Sequence, residues 1–303
     1  MSSREKRGIN PIIEDIKLTN VDDLYDIELK RVLNNKQLLS QLAERGITAD
    51  MIDGNLGNIL DYENTHEQCR QFHINNGDTP CGTQLIELYF DGEKILRQLG
   101  QCPHQLRVDQ LRARFIYSDF PHTWMNVRLS HVDVQRSRAP FLAELLSLVK
   151  GEKKWIYGFG AAGRGKSYMS VAALNEIALQ QENATFAFVD FPTFISENMV
   201  DFFNNRANVD RLVNILSEVD YLVLNHFGNE EISELSRSAI TMPLLSARDS
   251  QGKATIILSS IDLNELEVHH QSGKNNQVRA RQLIEIIRDN IKATIAVTGA
   301  KIY

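Results

Sequence analysis

Apolar positions in the second half of the chain fall into two alternating patterns, short continuous runs and helix-spaced stripes. A short continuous run predicts a buried strand, and apolar residues three or four apart predict an amphipathic helix, as in residues 141–149. Because helical stretches separate the runs, the pattern indicates an α/β domain in which helices flank a parallel sheet on both faces. The predicted strands are residues 155–159, 185–189, 221–224, 255–259 and 294–297.

The first half of the chain has a different texture. Residues 1 to about 60 are polar, and apolar side chains such as Leu38 and Leu42 are spaced for short amphipathic helices. Residues 84–90 alternate like a strand and are followed by an Asp91-Gly92 turn signal. These features predict a small α+β domain.

The two textures define the domain organisation. We predict an N-terminal domain over residues 1–103, a linker over 104–140 that merges into the next domain, and an α/β domain over 141–303. The linker is rich in arginine, with Arg107, Arg112, Arg114, Arg128, Arg136 and Arg138.

Length and composition narrow the class of protein. A chain of 303 residues agrees with two domains. The formal charge of −6 argues against a protein that coats nucleic acid electrostatically, so we expect any nucleic-acid contact to be local. No apolar run approaches the roughly 20 residues needed to span a bilayer, and the charged N-terminus lacks the apolar core of a secretory signal. The composition therefore predicts a soluble cytoplasmic protein without a membrane partner.

Residues 160–167, GAAGRGKS, fit the P-loop pattern G-x-x-x-x-G-K-[ST] at every fixed position. Lys166 supplies a positive charge for the β- and γ-phosphates, and the Ser167 hydroxyl can bind Mg²⁺. A strand precedes the loop and a helix follows it, so we predict a site for ATP and Mg²⁺ at a helix N-terminus. The glycines that allow successive N–H groups to point into one concavity are Gly160, Gly163 and Gly165.

A P-loop NTPase also needs an acidic residue at the end of a neighbouring apolar strand, where it holds Mg²⁺. The strand at residues 221–224 is followed instead by Asn225 and His226. Asn225 can offer Mg²⁺ a neutral carbonyl, which attracts the ion much less than a carboxylate does. His226 can act as a base near neutral pH. The alternative is a site that has lost much of its hydrolytic chemistry.

Three cysteines and a histidine fall within about 35 residues. An odd number of cysteines argues against a disulfide framework, whereas three thiolates and an imidazole suit tetrahedral Zn²⁺. The spacing is not a paired C-x-x-C, so three buried thiols beside a surface histidine are the alternative. His66 and His104 are rival fourth ligands. The predicted set is Cys69, His73, Cys81 and Cys102.

Four later segments, in order after the P-loop, resemble bacterial helicase loaders of the DnaI/DnaC type, AAA+ ATPases that deliver the replicative helicase to DNA. The resemblance implies an AAA+ domain that binds ATP and single-stranded DNA and self-associates, behind a zinc-binding domain that contacts the hexameric helicase. The first segment, 221–230, keeps the family's Gly228 and Glu230. The second, 255–266, is similar to the family's sensor-1 strand, and the third, 279–288, is similar to a late helix. The fourth, 297–301, is similar to the closing strand and turn.

Departures from the family fall at positions used for hydrolysis. The resemblance puts Ser260 where a sensor asparagine is expected and Ile286 where an arginine finger is expected. An arginine finger is worth about 10³ to 10⁵ in rate in related systems. Arg281 or Arg288 can substitute for it from the same helix face. The alternative is that both are solvated or pair with Glu285.

Other charged residues invite a function. Arg237 and Arg248 are placed for contacts between subunits, but we expect each to be a surface charge. His269 and His270 lie in a polar stretch and are expected to be solvated.

Three functions are compatible with these features. The first is a primosomal helicase loader with an ATPase cycle. The second is a non-hydrolysing adaptor that binds nucleotide and binds or inhibits the helicase. The third is a transposition helper ATPase of the same AAA+ subclass, against which the metal-binding N-terminal domain argues.

Overall fold

The computed structural model describes residues 21–77, 81–132, 136–152, 154–231, 233–271 and 277–301, without the side chains of 21, 22 and 200–204. The chain divides into two compact units, with the boundary between Leu106 and Arg107. The predictions that concern residues 1–20, 78 and 272–276 lie outside the described residues.

The first unit packs short helices against a β-hairpin, which confirms the predicted α+β character. Its hairpin strands pair antiparallel, from Gln84 opposite Gln101 to Phe90 opposite Ile95. Short 3₁₀ turns at Ala49–Met51 and Asp53–Asn55 lead into the third helix. The elements are α1 (Val21–Asn34), α2 (Lys36–Ala43), α3 (Leu56–Asn76), β1 (Gln84–Phe90) and β2 (Ile95–Gln101). Their shared core contains Val32, Leu38, Leu42, Ile59, Tyr62, Ile86 and Leu88.

Helix α3 extends beyond residue 60, the predicted end of the polar helical region, as far as Asn76. Cys69 and His73 therefore lie four residues apart on one helix, a spacing that puts both side chains on one face. The helix stops at Gly77, which has a positive φ of 58° and donates its N–H to the His73 carbonyl across 2.9 Å. A helix end thus positions half of the cysteine–histidine set.

The second unit is an α/β fold, as predicted. Its sheet has six strands in the order β3-β5-β6-β7-β4-β8, and every recorded pairing is parallel. None of the described helices is long and apolar enough to cross a membrane. The strands are β3 (Phe115–Ser118), β4 (Trp155–Phe159), β5 (Phe186–Asp190), β6 (Tyr221–Phe227), β7 (Ala254–Ser259) and β8 (Thr294–Ala296). The helices are α4 (Pro103–Ala113), which spans the unit boundary, α5 (Ala139–Val149), α6 (Lys166–Gln180), α7 (Phe191–Asn204), α8 (Arg206–Glu218), α9 (Glu234–Ser236), α10 (Met242–Ser250), α11 (Leu263–Gln271) and α12 (Gln277–Asn290).

Both faces of this sheet are covered. Along β5, Phe186 and Phe188 enter a core with α5 and α6, whereas Ala187 and Val189 enter a core with α8 and α12. Because successive side chains of a strand point to opposite faces, a strand buried on both faces has a continuous apolar run. This explains why the predicted strands that became β4, β5, β6 and β7 are confirmed with only small differences at their ends. The edge strand β8 is also confirmed, although two of its three residues are exposed.

The segment interpreted as a linker, residues 104–140, contains regular structure. Strand β3 lies at the edge of the six-stranded sheet beside β5. The Phe115 ring stacks on Phe186 with centroids 5.1 Å apart, and Phe120 packs in the same core. This strand is short, and its apolar run is limited to three residues, Phe115 to Tyr117, of which Ile116 is exposed, so the pattern did not indicate a strand.

Arg248 is a buried structural residue, so its prediction as a surface charge or subunit contact is wrong. The side chain is 0% exposed. Its guanidinium donates to the carbonyls of Leu216 and Val219, 2.8 Å each, and to the Thr255 hydroxyl, 2.9 Å. Burial lowers its pKa to about 9, against the opposing charge of Asp220. The guanidinium joins the C-terminal end of α8 to β7 by supplying donors that these carbonyls lack.

Arg237 and His270 are also buried, which contradicts the predictions that they are a surface charge and a solvated histidine. Arg237 lies in a π-helical segment, Arg237–Thr241, and donates to the His270 carbonyl across 3.0 Å. Burial lowers the pKa of Arg237 and lowers that of His270 to about 3. The end of α11 is thus satisfied by a guanidinium from another element, whereas His269 is exposed as predicted.

Candidate functional site

The P-loop connects β4 to the first turn of α6, as the sequence predicts. Helix α6 begins at Lys166 and runs for 15 residues, so its N-terminal amides face the loop. The loop glycines occupy backbone conformations that disfavour other residues, and their φ angles are 136° at Gly160, 75° at Gly163 and 93° at Gly165.

Gly160 is required for a second reason, the close approach of another backbone. A Cβ atom at this position would lie 2.4 Å from the Val297 carbonyl oxygen. The Gly160 N–H donates to the Ser259 carbonyl across 3.2 Å, and the Val297 N–H donates to the Phe159 carbonyl across 2.8 Å. The start of the loop is therefore fixed between the ends of β7 and β8.

Lys166 is held inside its own loop. Its ammonium donates to the Gly160 carbonyl and to the Ala161 carbonyl, the latter across 3.1 Å. Burial, with a smaller contribution from the charge of Arg164, lowers the pKa of Lys166 to about 8. A buried cation with only neutral acceptors favours an anionic ligand, because a phosphate would stabilise its charged form.

Ser167 and Asn225, which the sequence places far apart, lie together. The Ser167 hydroxyl donates to Oδ1 of Asn225 across 2.8 Å, and Asn225 is only 5% exposed. Both oxygens are neutral, so a divalent cation held here would gain less electrostatic attraction than from a carboxylate.

His226 lies at a bulge, where β6 and β7 lose register between Leu224 and Phe227. Its φ is 59°, and among the described residues no other non-glycine residue has a positive φ. Backbone strain of this kind persists only where surrounding contacts hold it. One such contact is Asp190, whose Oδ2 lies 2.6 Å from Nδ1 of His226.

Asp190 is a site residue that the sequence reasoning missed. It pairs in register with Asn225 on the adjacent strand. Burial raises the pKa of Asp190, but bonds from Thr193 and His226 outweigh it and lower the pKa overall. Its Oδ1 accepts the Thr193 hydroxyl across 2.8 Å at the start of α7, and its N–H donates to Asp119 across 2.9 Å. The available signal was an acidic residue directly after an apolar strand.

Ser260 and Glu230 lie beyond these residues at the ends of β7 and β6. The Ser260 hydroxyl donates to Oδ1 of Asn229 across 2.8 Å. Oε2 of Glu230 accepts the Gly228 N–H across 2.6 Å, and burial raises the pKa of this carboxyl to about 7. A carboxyl with this pKa exchanges protons near neutral pH.

The arginines considered as finger residues lie on α12. Arg281 and Arg288 are both exposed. Arg288 contacts Glu267 on α11 across 3.3 Å, so its partner is this residue rather than Glu285. Ile286 packs against the core beneath the helix. The exposed face of α12 therefore offers arginines outward from this unit.

In the first unit, the predicted cysteine–histidine set forms one cluster. The four ligand atoms all lie within 4.8 Å of one another. His73 Nε2 lies 3.1 Å from Cys102 Sγ, and Cys81 Sγ lies 3.5 Å from Cys69 Sγ. Tetrahedral Zn²⁺, with bonds of about 2.0 to 2.3 Å, separates its ligand atoms by roughly 3.5 to 3.8 Å. The cluster therefore fits zinc in donor type and number, and its ligand atoms are close enough together to surround one ion.

The tautomer of His73 agrees with this fit. Its Nδ1 lies 2.8 Å from the Gly77 carbonyl, which can only accept, so Nδ1 carries the proton and Nε2 presents its lone pair to the thiols. His104 is outside the set and stacks on the His73 ring with centroids 3.8 Å apart. His66 stacks against Tyr62 instead, with centroids 4.2 Å apart.

The six-stranded parallel sheet, the helices on both faces and the P-loop between β4 and α6 give the second unit a P-loop NTPase fold, as predicted for an AAA+ domain. No protein-family model matches the chain. The chain is 24% identical to the replicative helicase loader DnaI of Bacillus subtilis (strain 168) over 280 aligned residues. The alignment covers 85% of this chain and 86% of that protein. It also matches a crystal structure of DnaI with a TM-score of 0.52 and 21% identity, over 63% of this chain and 98% of that one. The predicted resemblance to helicase loaders of the DnaI/DnaC type is confirmed.

Proposed function

We propose that this chain is a primosomal helicase loader, which binds ATP and delivers the replicative DNA helicase to single-stranded DNA in the cytoplasm during replication initiation or restart. The observation that carries the proposal is the order of two sites in one chain. A Cys₃His cluster in the first unit precedes a P-loop in the second, along a chain that aligns with DnaI over 85% of its length.

Nucleotide binding is the task of the P-loop. The amides of the loop and of the first turn of α6 would hold the phosphates, and Lys166 would exchange its loop carbonyls for phosphate oxygens. Ser167 and Asn225 would hold Mg²⁺, which neutralises the charge of the phosphates when bound. The loop residues assigned to this task are Gly160, Gly163, Gly165, Lys166 and Ser167.

Zinc binding would organise the first unit for its partner. Cys69 and His73 come from α3, and the hairpin region supplies Cys81 and Cys102, so one ion would tie a helix to two separate segments. A four-ligand site without an open position is structural, and its metal contributes directly to folding. We assign this unit the contact with the hexameric helicase.

Hydrolysis would depend on residues that differ from the usual set. His226, held by Asp190, is the group placed to accept a proton from an attacking water, and Ser260 takes the sensor position. Arg281 and Arg288 are exposed and would act on the nucleotide of a neighbouring copy, which makes self-association part of the proposal.

A non-hydrolysing adaptor is the second candidate, and one observation favours it. The residue that contacts Ser167 is a neutral amide, Asn225, at the position where a hydrolysing site holds a carboxylate. In this function the chain binds nucleotide as a structural ligand and acts by occupying the helicase.

The discriminating experiment loads purified hexameric helicase onto circular single-stranded DNA, which a closed ring cannot thread. The full-length chain is compared with Lys166→Ala and with Lys150→Ala, an exposed lysine of equal charge. Retention of a fluorescent ATP analogue and phosphate release are measured in the same samples.

A loader gives ATP-dependent loading and turnover that Lys166→Ala abolishes and Lys150→Ala keeps. An adaptor retains nucleotide, and its turnover equals that of Lys166→Ala. If the unaltered chain retains no nucleotide in the presence of Mg²⁺, both functions are excluded.

A further inference from the structure

Arg138 is a buried cation that contacts the P-loop from outside the motif. It lies at the N-cap position of α5 and is only 2% exposed. Its Nε donates to the Arg164 carbonyl across 3.1 Å, and its Nη2 donates to the Ala300 carbonyl. One guanidinium therefore bridges the phosphate-binding loop and the C-terminal turn of the chain.

The bond to Arg164 fixes the direction of a neighbouring amide. In a planar trans peptide, the carbonyl of Arg164 and the N–H of Gly165 point in opposite directions. By holding the carbonyl on its own side, Arg138 turns the Gly165 N–H away from itself. Gly165 has a φ of 93° and, as a glycine, can take many other conformations, so an external contact is needed to keep this one.

The C-terminal turn provides the second support. Arg164 donates through its side chain to the Gly299 carbonyl, and the Val297 carbonyl lies directly against Gly160. Residues 297–301 therefore pack directly against the loop. The hydrogen bonds of Arg138 connect this C-terminal segment to the Arg164–Gly165 peptide, where the loop ends and helix α6 begins.

We propose that Arg138 is a positioning residue for the nucleotide, which holds the Arg164–Gly165 peptide with its N–H turned toward the phosphates. The inference rests on the proposed nucleotide binding and adds a residue to it. A loop held in its binding conformation before the ligand arrives loses less conformational entropy on binding. Removal of Arg138 would free the glycine-rich loop and weaken affinity without removing any group that touches the phosphates.

The test compares two buried arginines of the second unit. Arg138 and Arg248 both donate to backbone carbonyls, but the partners of Arg248 belong to α8 and β7, away from the loop. Full-length Arg138→Met and Arg248→Met are assayed for affinity to a fluorescent ATP analogue with Mg²⁺, at a temperature where both are folded. Thermal unfolding is measured in parallel. We expect Arg138→Met to lose about tenfold or more in affinity, and Arg248→Met to lose stability but stay within about twofold of the unaltered chain in affinity.

Arg138→Lys serves where Arg138→Met does not fold. A single ammonium lacks the planar fork that spans both carbonyls, so an intermediate loss of affinity at an unchanged unfolding temperature supports the positioning role. Unchanged affinity in the folded variant overturns it while leaving the nucleotide site intact. Absence of binding by the unaltered chain would instead remove the proposed function.

Discussion

The hydroxyl of Ser167 donates a hydrogen bond to Oδ1 of Asn225 across 2.8 Å, and this bond joins the first turn of α6 to the end of β6. The two residues are 58 positions apart, and parallel strand order brings them together. In hydrolysing P-loop proteins this place holds a hydroxyl and a carboxylate around Mg²⁺. Here both oxygens are neutral, so the dependence of nucleotide affinity on Mg²⁺ should be shallow.

Asn225→Asp should restore a strong dependence on Mg²⁺. The substitution changes an amide to a carboxylate of nearly the same size at a buried position, so the added charge acts directly on a cation beside Ser167. We expect nucleotide affinity at saturating Mg²⁺ to rise about tenfold and the unfolding temperature without Mg²⁺ to fall, because a buried carboxylate would then be unpaired. A titration of fluorescent ATP analogue against Mg²⁺ measures the first effect.

Asn229→Asp is the matched control for this change. Asn229 is exposed, lies on the same strand end and accepts a hydrogen bond from Ser260, which an aspartate can also accept. It adds the same charge outside the Ser167 contact, so we expect an unchanged Mg²⁺ dependence. Equal Mg²⁺ curves for Asn225→Asp and Asn229→Asp would contradict the assignment of Asn225 to the metal.

The chain should carry one zinc ion per molecule, and Cys102→Ser should lose it. Cys102 is 1% exposed and its Sγ lies 3.1 Å from Nε2 of His73, so a serine there removes a thiolate ligand and leaves the histidine without its neighbour. Structural zinc contributes roughly 10 kcal/mol or more of apparent binding free energy in small domains, so the first unit should unfold with the metal. Elemental analysis of freshly purified protein and far-ultraviolet circular dichroism measure the two effects.

His66→Gln distinguishes the cluster from the rival ligand. His66 lies in the same helix but packs on Tyr62, outside the four-residue set. The variant should keep its zinc. Loss of zinc from His66→Gln together with retention in His73→Gln would reverse the assignment of the fourth ligand.

Arg248→Met should destabilise the second unit by about 3 kcal/mol. The thioether keeps most of the volume but leaves the carbonyls of Leu216 and Val219 and the Thr255 hydroxyl without their donor in a buried position. Both tryptophans of the chain lie in the second unit, so a urea titration followed by tryptophan fluorescence reports this unit.

Arg206→Met provides the comparison. Arg206 is an exposed arginine on α8 whose contact with Asp210 spans 3.9 Å. Pairs of this kind contribute about 0.5 kcal/mol or less, so the midpoint should hardly move. Similar shifts for the two variants would show that the buried bonds of Arg248 add nothing beyond a surface charge.

The features that were predicted well from the sequence are those that depend on consecutive residues. The P-loop occupies eight successive positions, and a strand buried on both faces needs an unbroken apolar run, as in β4 and β7. The three cysteines of the metal cluster were also predictable, because they are the only cysteines of the chain and lie within a short segment. The sequence left His66 and His104 as rivals of His73, and the structure places His73 with the thiols.

The features missed depend on strand order and on tertiary partners. Asp190 reaches His226 because β5 lies beside β6, and Arg138 reaches the P-loop because α5 begins next to residues near the C-terminus. Arginine and histidine are usually found at the protein surface. Arg248 can be buried because backbone carbonyls accept its hydrogen bonds, and His270 because its ring packs against Phe227. No spacing rule contains that information.

His270 should make the second unit less stable in mild acid. Burial, followed by the charges of Arg237 and His269, lowers its pKa from 6.5 to about 3 in the folded chain. Above about pH 6.5 the ring is neutral in both the folded and the unfolded chain, so it does not change the free energy of unfolding with pH. Below that pH the unfolded chain binds a proton at His270 and the folded chain does not, so the free energy of unfolding decreases by up to about 1.4 kcal/mol for each pH unit of acidification.

His270→Phe removes this titration and keeps a ring against Phe227, whose centroid lies 6.1 Å from that of His270. Both ring nitrogens of His270 lack a hydrogen-bond partner within the described residues, so the substitution leaves no new unpaired group. Urea midpoints from pH 8 to pH 5 should fall less steeply for His270→Phe than for the unaltered chain. His269→Gln, a change at the exposed neighbour, should give midpoints that fall nearly as steeply as those of the unaltered chain, because burial is the largest cause of the low pKa of His270. Parallel curves for His270→Phe and the unaltered chain would mean that His270 takes up its proton in the folded state and is accessible to water.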